Sequence, residues 1–590
     1  MSGAHGTDGP VSRQFLLMVE LKSMSNVPRE TRVNNKNQWE PELLNESYKD
    51  EGQRSLWADY CMNSTIHGFK YFVGNKRTLI ERVWWFVVCI VSFYGCGRII
   101  QNIYMKWDRD PVVVTFAEKA LPVFSIPFPA VTICPEIKVR KANFDFTQAY
   151  QVYIDEEDED AYLSLEQEEK LEALLQVCDF TFGVDLSNAT YDDDVVQRLQ
   201  QMAIKLNEIF LMCGWRGQTM DCSRMFKPTL TDVGICYTFN SLSAEEMLRK
   251  EQLHSEYEYL TENRTASRWS IDDGYETGPG NKTSYPRRTF GAGIRAGMYA
   301  ILRVGLKDMD YLCSNSFQGF KVHLHPPNQY PRLYNQNFRV PISQEVSVSI
   351  DPLVIETSAN IRNYSPARRQ CYYNHERYLK YFKVYTKSNC EIECLANYTI
   401  EICGCAHFVY PRTKDVRVCG LGMSYCCNQA LSLLEEFDLL QAKNQSVELI
   451  HQCNCLPACN AIIYNTETSQ ARFDWRKLLE QINPSFKSDE VELSYLSIHF
   501  KVPRFIPIKR SELFGISDFL ANCGGVLGLF MGVSILSIVE IIYYCTLKPI
   551  MERNAAVREP STPKPIKSNL ILPPEEYGVP IRQRKDITKW

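Results

Sequence analysis

A chain of 590 residues with 65 Lys and Arg against 70 Asp and Glu has a formal net charge of −5, which excludes a general nucleic-acid binder. Its 22 cysteines are far too many for an ordinary cytosolic chain, and the 17 from Cys134 to Cys459 place the middle of the chain in an oxidising compartment. No nucleophile elbow, HExxH motif or phosphate loop occurs, so the chain does not read as an enzyme and no cofactor is expected.

The N-terminus is polar from Gly3 to Arg13, and FLLMV at 15–19 is too short for a signal sequence. Export therefore falls to an internal segment. Val83 to Gly97 supplies 15 uncharged residues, a little short of the roughly 20 that a span takes. Arg98 can snorkel, and IIQNIY at 99–104 can extend the helix. Lys70, Lys76, Arg77 and Arg82 form the positive flank that marks a cytoplasmic N-terminus.

The expected organisation is a cytoplasmic N-terminal region 1–80, a transmembrane helix 81–104, and an extracellular disulfide-rich domain 105–512. A second transmembrane helix 513–547 and a cytoplasmic tail 548–590, proline-rich and expected to be disordered, complete it. Within the exterior, apolar–polar alternation predicts strands in 319–326, 346–355 and 491–508. Helical periodicity predicts helices over 162–178, 193–212 and 430–449. The acidic runs at 155–160 and Asp192–Asp194 could gather cations, but helix N-terminal charge and solvated loops explain them as well. Glycosylation sequons at Asn188, Asn263, Asn281, Asn363, Asn397 and Asn444 all fall on the proposed exterior, whereas Asn45 and Asn63 match on the cytoplasmic side.

Cysteines from 371 to 459 are closely spaced, ending in Cys453, Cys455 and Cys459. Short spacings can mark zinc, but outside the cell a ladder of disulfides is favoured, and no metal site is assigned. Such a ladder stiffens the region, each bridge typically stabilising by about 2–4 kcal/mol.

The last apolar run, Phe519 to Leu547, is broken by a single charge, Glu540. A carboxylate in such a segment is costly and faces a water-filled path or a partner. Gly524, Gly528 and Gly532 recur every fourth residue, followed by Ser534 and Ser537. The glycines fit either a helix-packing face or a narrow pore where oxygens replace a cation's water. On a straight helix rising about 1.5 Å per residue, Glu540 lies about 12 Å beyond Gly532.

Four motifs in order carry a family resemblance: His67-Gly68 within STIHGFKYF, FPAVTIC at Phe128–Cys134, the cysteine ladder, and GGVLGLFMGVS with Glu540 after it. From about Cys61 to Leu547 the chain resembles the degenerin and epithelial sodium channel family, and within it the insect pickpocket channels. The resemblance implies two transmembrane helices per subunit and a large disulfide-rich α+β extracellular domain of palm, β-ball, finger, thumb and knuckle. It implies a homo- or heterotrimer in the plasma membrane, multi-pass, with both termini cytoplasmic. It further implies a sodium-selective, amiloride-sensitive cation channel, with Na+ as the permeant ion, gated by an extracellular chemical, osmotic or mechanical stimulus in sensory or epithelial cells. A two-span receptor or auxiliary subunit without its own pore is the alternative.

The resemblance puts a selectivity filter on Gly532, Val533 and Ser534, and pore or gate positions on Asp518, Ala521, Asn522, Gly525, Ser537 and Glu540. Ala521 takes the small position at which bulky side chains hold such channels open. His67 and Gly68 take the gating motif, on a re-entrant segment lining the inner pore. The implied disulfides are Cys134–Cys236, Cys213–Cys222, Cys371–Cys459, Cys390–Cys455, Cys394–Cys453, Cys405–Cys419 and Cys403–Cys427, with Cys426 an alternative partner for Cys403. Cys178 and Cys313 fall outside that scheme and form a possible extra bridge. Proton-gated relatives carry histidines soon after the first span, but KWDRDPVVVTF at 106–116 has none, which argues against proton activation. His323 and His325 share a strand face and could bind zinc, although surface histidines without a role are commoner. PPEEY at 573–577 is one residue too long for a ligase-binding PPxY motif.

Overall fold

The computed structural model describes residues 56–73, 77–109, 111–154, 162–178, 190–254, 269–276, 285–314, 316–334, 336–442, 453–482 and 490–558. The sequons at Asn188, Asn263, Asn281 and Asn444, the acidic run 155–160 and the PPEEY motif lie outside them, while Asn363 and Asn397 are exposed. The chain divides into two units, one of 95–526 and one joining 1–94 to 527–590.

Helices referred to below are α1 (Leu56–Asn63), α2 (Leu79–Arg109), α3 (Leu165–Leu175), α4 (Val195–Met202), α5 (Lys387–Cys403), α6 (Ser424–Ala442), α7 (Ile516–Met531), α8 (Ile535–Ile542) and α9 (Lys548–Arg558). Strands are β1 (Val112–Phe116), β2 (Ala130–Pro135), β3 (Phe210–Trp215), β4 (Gln218–Met220), β5 (Phe226–Thr231), β6 (Gly234–Phe239) and β7 (Met298–Gly305). They continue as β8 (Gly319–His325), β9 (Phe338–Pro341), β10 (Gln344–Thr357), β11 (Ala461–Arg472), β12 (Val491–Phe500) and β13 (Ile508–Glu512).

The 95–526 unit is built on an eight-stranded sheet, β1-β13-β10-β12-β7-β3-β4, with β11 also paired to β10. Val346, Val348 and Ile350 alternate with half-buried residues along β10, so one face of this long strand is core. Its first half pairs in parallel with β12 and its end with β13, while β11 runs antiparallel beside it. A second, five-stranded sheet has the order β9-β8-β2-β6-β5. Phe128 of the FPAVTIC motif fills the core, with ring centroids 4.9 Å from Trp215, 5.5 Å from Phe500 and 6.2 Å from Phe239. Every residue of β2 is buried, so this motif builds the scaffold.

The segment 193–212 is not one helix. α4 buries Val195, Val196, Leu199 and Met202 and stops there, and Phe210–Trp215 pairs with β7 and β4 instead. Phe210, Cys213 and Trp215 are buried in the sheet, so tertiary pairing overrides the local helical period. The acidic triplet just before α4 is a structural tie. Asp193 accepts from the Val418 N–H at 2.8 Å and pairs with Arg417 at 2.9 Å, while Asp192 and Glu169 both pair with Arg198.

Eight disulfides hold the described residues of this unit together: Cys134–Cys236, Cys178–Cys313, Cys213–Cys222, Cys371–Cys459, Cys390–Cys455, Cys394–Cys453, Cys403–Cys426 and Cys405–Cys419. The expected Cys403–Cys427 bond is thus corrected to Cys403–Cys426. Neighbouring residues on α6 project in different directions, so only one of the two can face Cys403. Cys427 is a buried free thiol, pushed up to about 11 by that burial. It therefore stays protonated, and only the thiolate attacks a disulfide.

His323 and His325 stack with ring centroids 5.1 Å apart, but both are buried rather than on the surface. Burial pushes them down to about 4 and about 3, so both are neutral at physiological pH. His325 Nε2 lies 3.0 Å from the Thr132 hydroxyl, and no group of metal-ligating side chains occurs among the described residues.

Two segments carry the membrane-compatible composition. α2 passes by itself as one continuous helix; only 11% of its most apolar stretch is buried, which distinguishes it from a soluble core helix. The expected continuous helix over 513–547 is corrected: α7 ends at Met531, and the chain bends by 73° before α8.

Non-reducing digestion and mass spectrometry are expected to recover Cys178–Cys313 and Cys403–Cys426 peptides, with Cys427 alkylated only after denaturation. A Cys403–Cys427 peptide from native protein would contradict the pairing. Cys178→Ser is expected to cost about 2–4 kcal/mol of stability in denaturant titrations.

Candidate functional site

The break between α7 and α8 is caused by Gly532, whose φ of +66° lies in the left-handed region. Its N–H still closes on the Gly528 carbonyl at 2.9 Å, but the chain then turns away. Ser534 restarts the helix as a cap: its hydroxyl accepts from the Ser537 N–H at 3.3 Å, and its own N–H donates to the Ser537 hydroxyl at 3.1 Å. The triplet Gly532-Val533-Ser534, expected to form a filter, is therefore the non-helical link itself.

Residues 64–72 of the same unit fill this bend. The His67 N–H donates to the Met531 carbonyl at 2.9 Å, supplying a partner that the helix end lacks. A Cβ on Gly532 would meet His67 Nδ1 at 2.1 Å, so the imidazole occupies the space a side chain would need. Gly68 is held on two counts: its φ is +94°, and a Cβ there would meet Cys89 Sγ of α2 at 2.8 Å. Thr65 reaches Glu540, its N–H donating to Oε2 at 3.1 Å and its hydroxyl at 3.0 Å. Ser537 is fully buried, with its hydroxyl 2.8 Å from that of Thr65, so it does not face an open path in this structure.

The same segment is fastened further along. Asp59 pairs with Lys548, the ammonium of Lys548 lies 4.6 Å from the Tyr544 ring centroid, and Tyr60 meets Tyr544 edge-on at 5.3 Å. The His-Gly motif, the Gly532-Val533-Ser534 triplet and Glu540 thus come together. The straight-helix spacing of Glu540 from Gly532 does not hold across a 73° bend.

The outer residues belong to the 95–526 unit. Asp518, Ala521, Asn522 and Gly525 fall at i, i+3, i+4 and i+7 on α7, forming one stripe, and all four are exposed. A Cβ on Gly525 would meet nothing within 4 Å. Asp518 also accepts from the Gly515 N–H at 3.1 Å, which steadies the helix start. The other face carries Phe519, whose ring lies 5.4 Å from Trp107 and 6.4 Å from Tyr104 of α2.

Sequence reasoning missed the junction beneath the sheet. Two residues separate α2 from β1 and three separate β13 from α7, and the antiparallel register of β1 and β13 opposes Val112 to Glu512. Leu513 N–H adds a bond to the Pro111 carbonyl at 3.1 Å. Arg368 lies over both Trp107, at 4.3 Å, and Tyr364, at 4.6 Å, while the Tyr364 hydroxyl bonds Glu512. Burial, reinforced by Glu512, pushes the Tyr364 phenol up, so it stays a donor. An arginine and scattered aromatics 261 residues apart carry no local pattern; only the fold assembles them.

The family model described as "Amiloride-sensitive sodium channel" matches residues 60–544. Pickpocket protein 28 of Drosophila melanogaster is 29% identical over 501 residues, covering 83% of this chain and 78% of that protein. Sodium channel protein Nach of the same species is 22% identical over 519 residues, covering 85% of this chain and 88% of its own. Human Acid-sensing ion channel 2 is 23% identical over 505 residues, covering 82% and 85%.

Gly532→Ala is expected to unseat the His67 segment: whole-cell current falls at least about tenfold, as for a strain of 1–3 kcal/mol, while surface biotinylation is retained. Wild-type current in that variant would show that the bend does not need glycine. Trp107→Leu and Arg368→Gln are expected to shift the stimulus response by amounts that are not additive. A double-mutant cycle should give a coupling of about 0.5–2 kcal/mol, and additivity would sever the contact from gating.

Proposed function

Since this chain belongs to the amiloride-sensitive sodium channel family, as an insect pickpocket-type subunit, we propose that it is one subunit of a trimeric, sodium-selective, amiloride-sensitive channel of the plasma membrane. α2 is one span, and α7 with α8 is a second, broken one. Both termini are cytoplasmic and the 105–512 domain is outside.

The observation that carries this proposal is the bend at Gly532–Ser534, with the His67 segment seated in it and Glu540 beyond it. An anchor has no use for a broken helix, and non-helical backbone at membrane depth is tolerated where it lines a cavity or is buried in protein. With two spans per subunit, no pore closes without further copies. The exposed stripe Asp518–Ala521–Asn522–Gly525 is the face offered to the axis, where carbonyl and hydroxyl oxygens of the triplet replace part of a cation's hydration. Glu540 attracts cations on the inner side.

An extracellular chemical, osmotic or mechanical stimulus acts on the disulfide-stiffened domain. It reaches α2 and α7 through the β1–β13 pair and the Arg368–Trp107 contact.

Expression in oocytes, alone and with other pickpocket subunits, tests the proposal. Ala521→Val is expected to give a constitutive sodium current blocked by amiloride. Surface-delivered protein that passes no current in any combination, the Ala521 variant included, would favour the poreless receptor instead.

A further inference from the structure

We propose that Thr65 is a positioning residue for ion selectivity, holding the Glu540 carboxylate through a one-way chain of hydroxyls that begins at Ser534; this rests on the channel reading above. The direction follows from donor counting. Glu540 is acceptor-only when ionised, so the Thr65 hydroxyl, 3.0 Å from Oε2, spends its single proton there. Its oxygen is then free to accept from the Ser537 hydroxyl at 2.8 Å. Ser537 in turn accepts from the Ser534 N–H at 3.1 Å. Ser534 N–H, Ser537 O–H and Thr65 O–H therefore point the same way, from the triplet to the carboxylate.

Thr65 itself is exposed, but three features fix this contact. Ser537 is fully buried, so water does not substitute for its partner. The Thr65 N–H donates to the same Oε2 at 3.1 Å, so both Thr65 donors pull on one oxygen of the carboxylate. Threonine's β-branch restricts χ1, which fixes where its hydroxyl sits. The chain also joins two stretches 475 residues apart, so the carboxylate that meets the ion is oriented by the segment carrying His67.

The test is the sodium-to-potassium permeability ratio, read from bi-ionic reversal potentials in the conducting Ala521→Val background. Thr65→Val keeps the shape and the N–H but removes the hydroxyl; it is expected to lower the ratio at least about threefold, in the direction of Glu540→Gln, as one charge-assisted hydrogen bond is lost. Thr65→Ser restores the donor and is expected to restore the ratio. Adding Thr65→Val to Glu540→Gln should change nothing further. A merely structural role would reduce current amplitude and leave the ratio alone. A normal ratio in Thr65→Val, with Glu540→Gln altered, overturns this inference and leaves the channel reading intact. A normal ratio in Glu540→Gln overturns the pore role of that carboxylate, and this inference with it. Should a variant pass no current, oxidative cross-linking of Thr65→Cys with Ser537→Cys in membranes decides: a cross-link is expected, and its absence in surface-delivered protein overturns the placement of Thr65.

Discussion

A broken helix leaves backbone groups without their helical partners, and much of the smaller unit follows from that constraint. Gly532 turns left-handed, α7 ends at Met531, and the Met531 carbonyl needs a donor. His67 supplies it, and the absence of a Gly532 side chain gives its ring room. The bend and the N-terminal segment are therefore complementary parts, neither of which is satisfied alone. Ser534 closes the other side of the gap by capping α8, so the two helix ends are served by different means.

The larger unit depends on β10. β12 and β13 lie in line along one of its edges, so a single strand carries both the core of the sheet and the short pair β1–β13. That pair closes on the ends of α2 and α7, and Arg368 and Tyr364 are packed against the same corner. Cysteine bridges tie α5 to Cys453 and Cys455 and to α6.

Much of this was legible in the sequence because it depends on local period or on residue type. β8, β10 and β12 are alternating runs, α3 a periodic one, and the cysteines announce their own ladder. The break in the second apolar segment was not legible: its glycines are four apart, which fits an unbroken packing face equally well. The pair Ser534 and Ser537, spaced as cap and third residue, was the overlooked sign of a restarting helix. The strand at 210–215 was hidden for another reason, since its partners β7 and β4 lie on either side of it in the sheet and decide its state. Cys403 had two adjacent candidates, and helix geometry rather than spacing chose Cys426.

The fastening of α1 has a mechanical consequence. Asp59 and Tyr60 hold Lys548 and Tyr544 through an ion pair and an edge-on ring contact, interactions worth about 1 kcal/mol each. One weak latch therefore joins α1 to the start of α9, where Lys548 is the first residue. A pull that parts α1 from α9 meets that latch first, and the next contacts along the chain from α1 are those of Thr65 and His67.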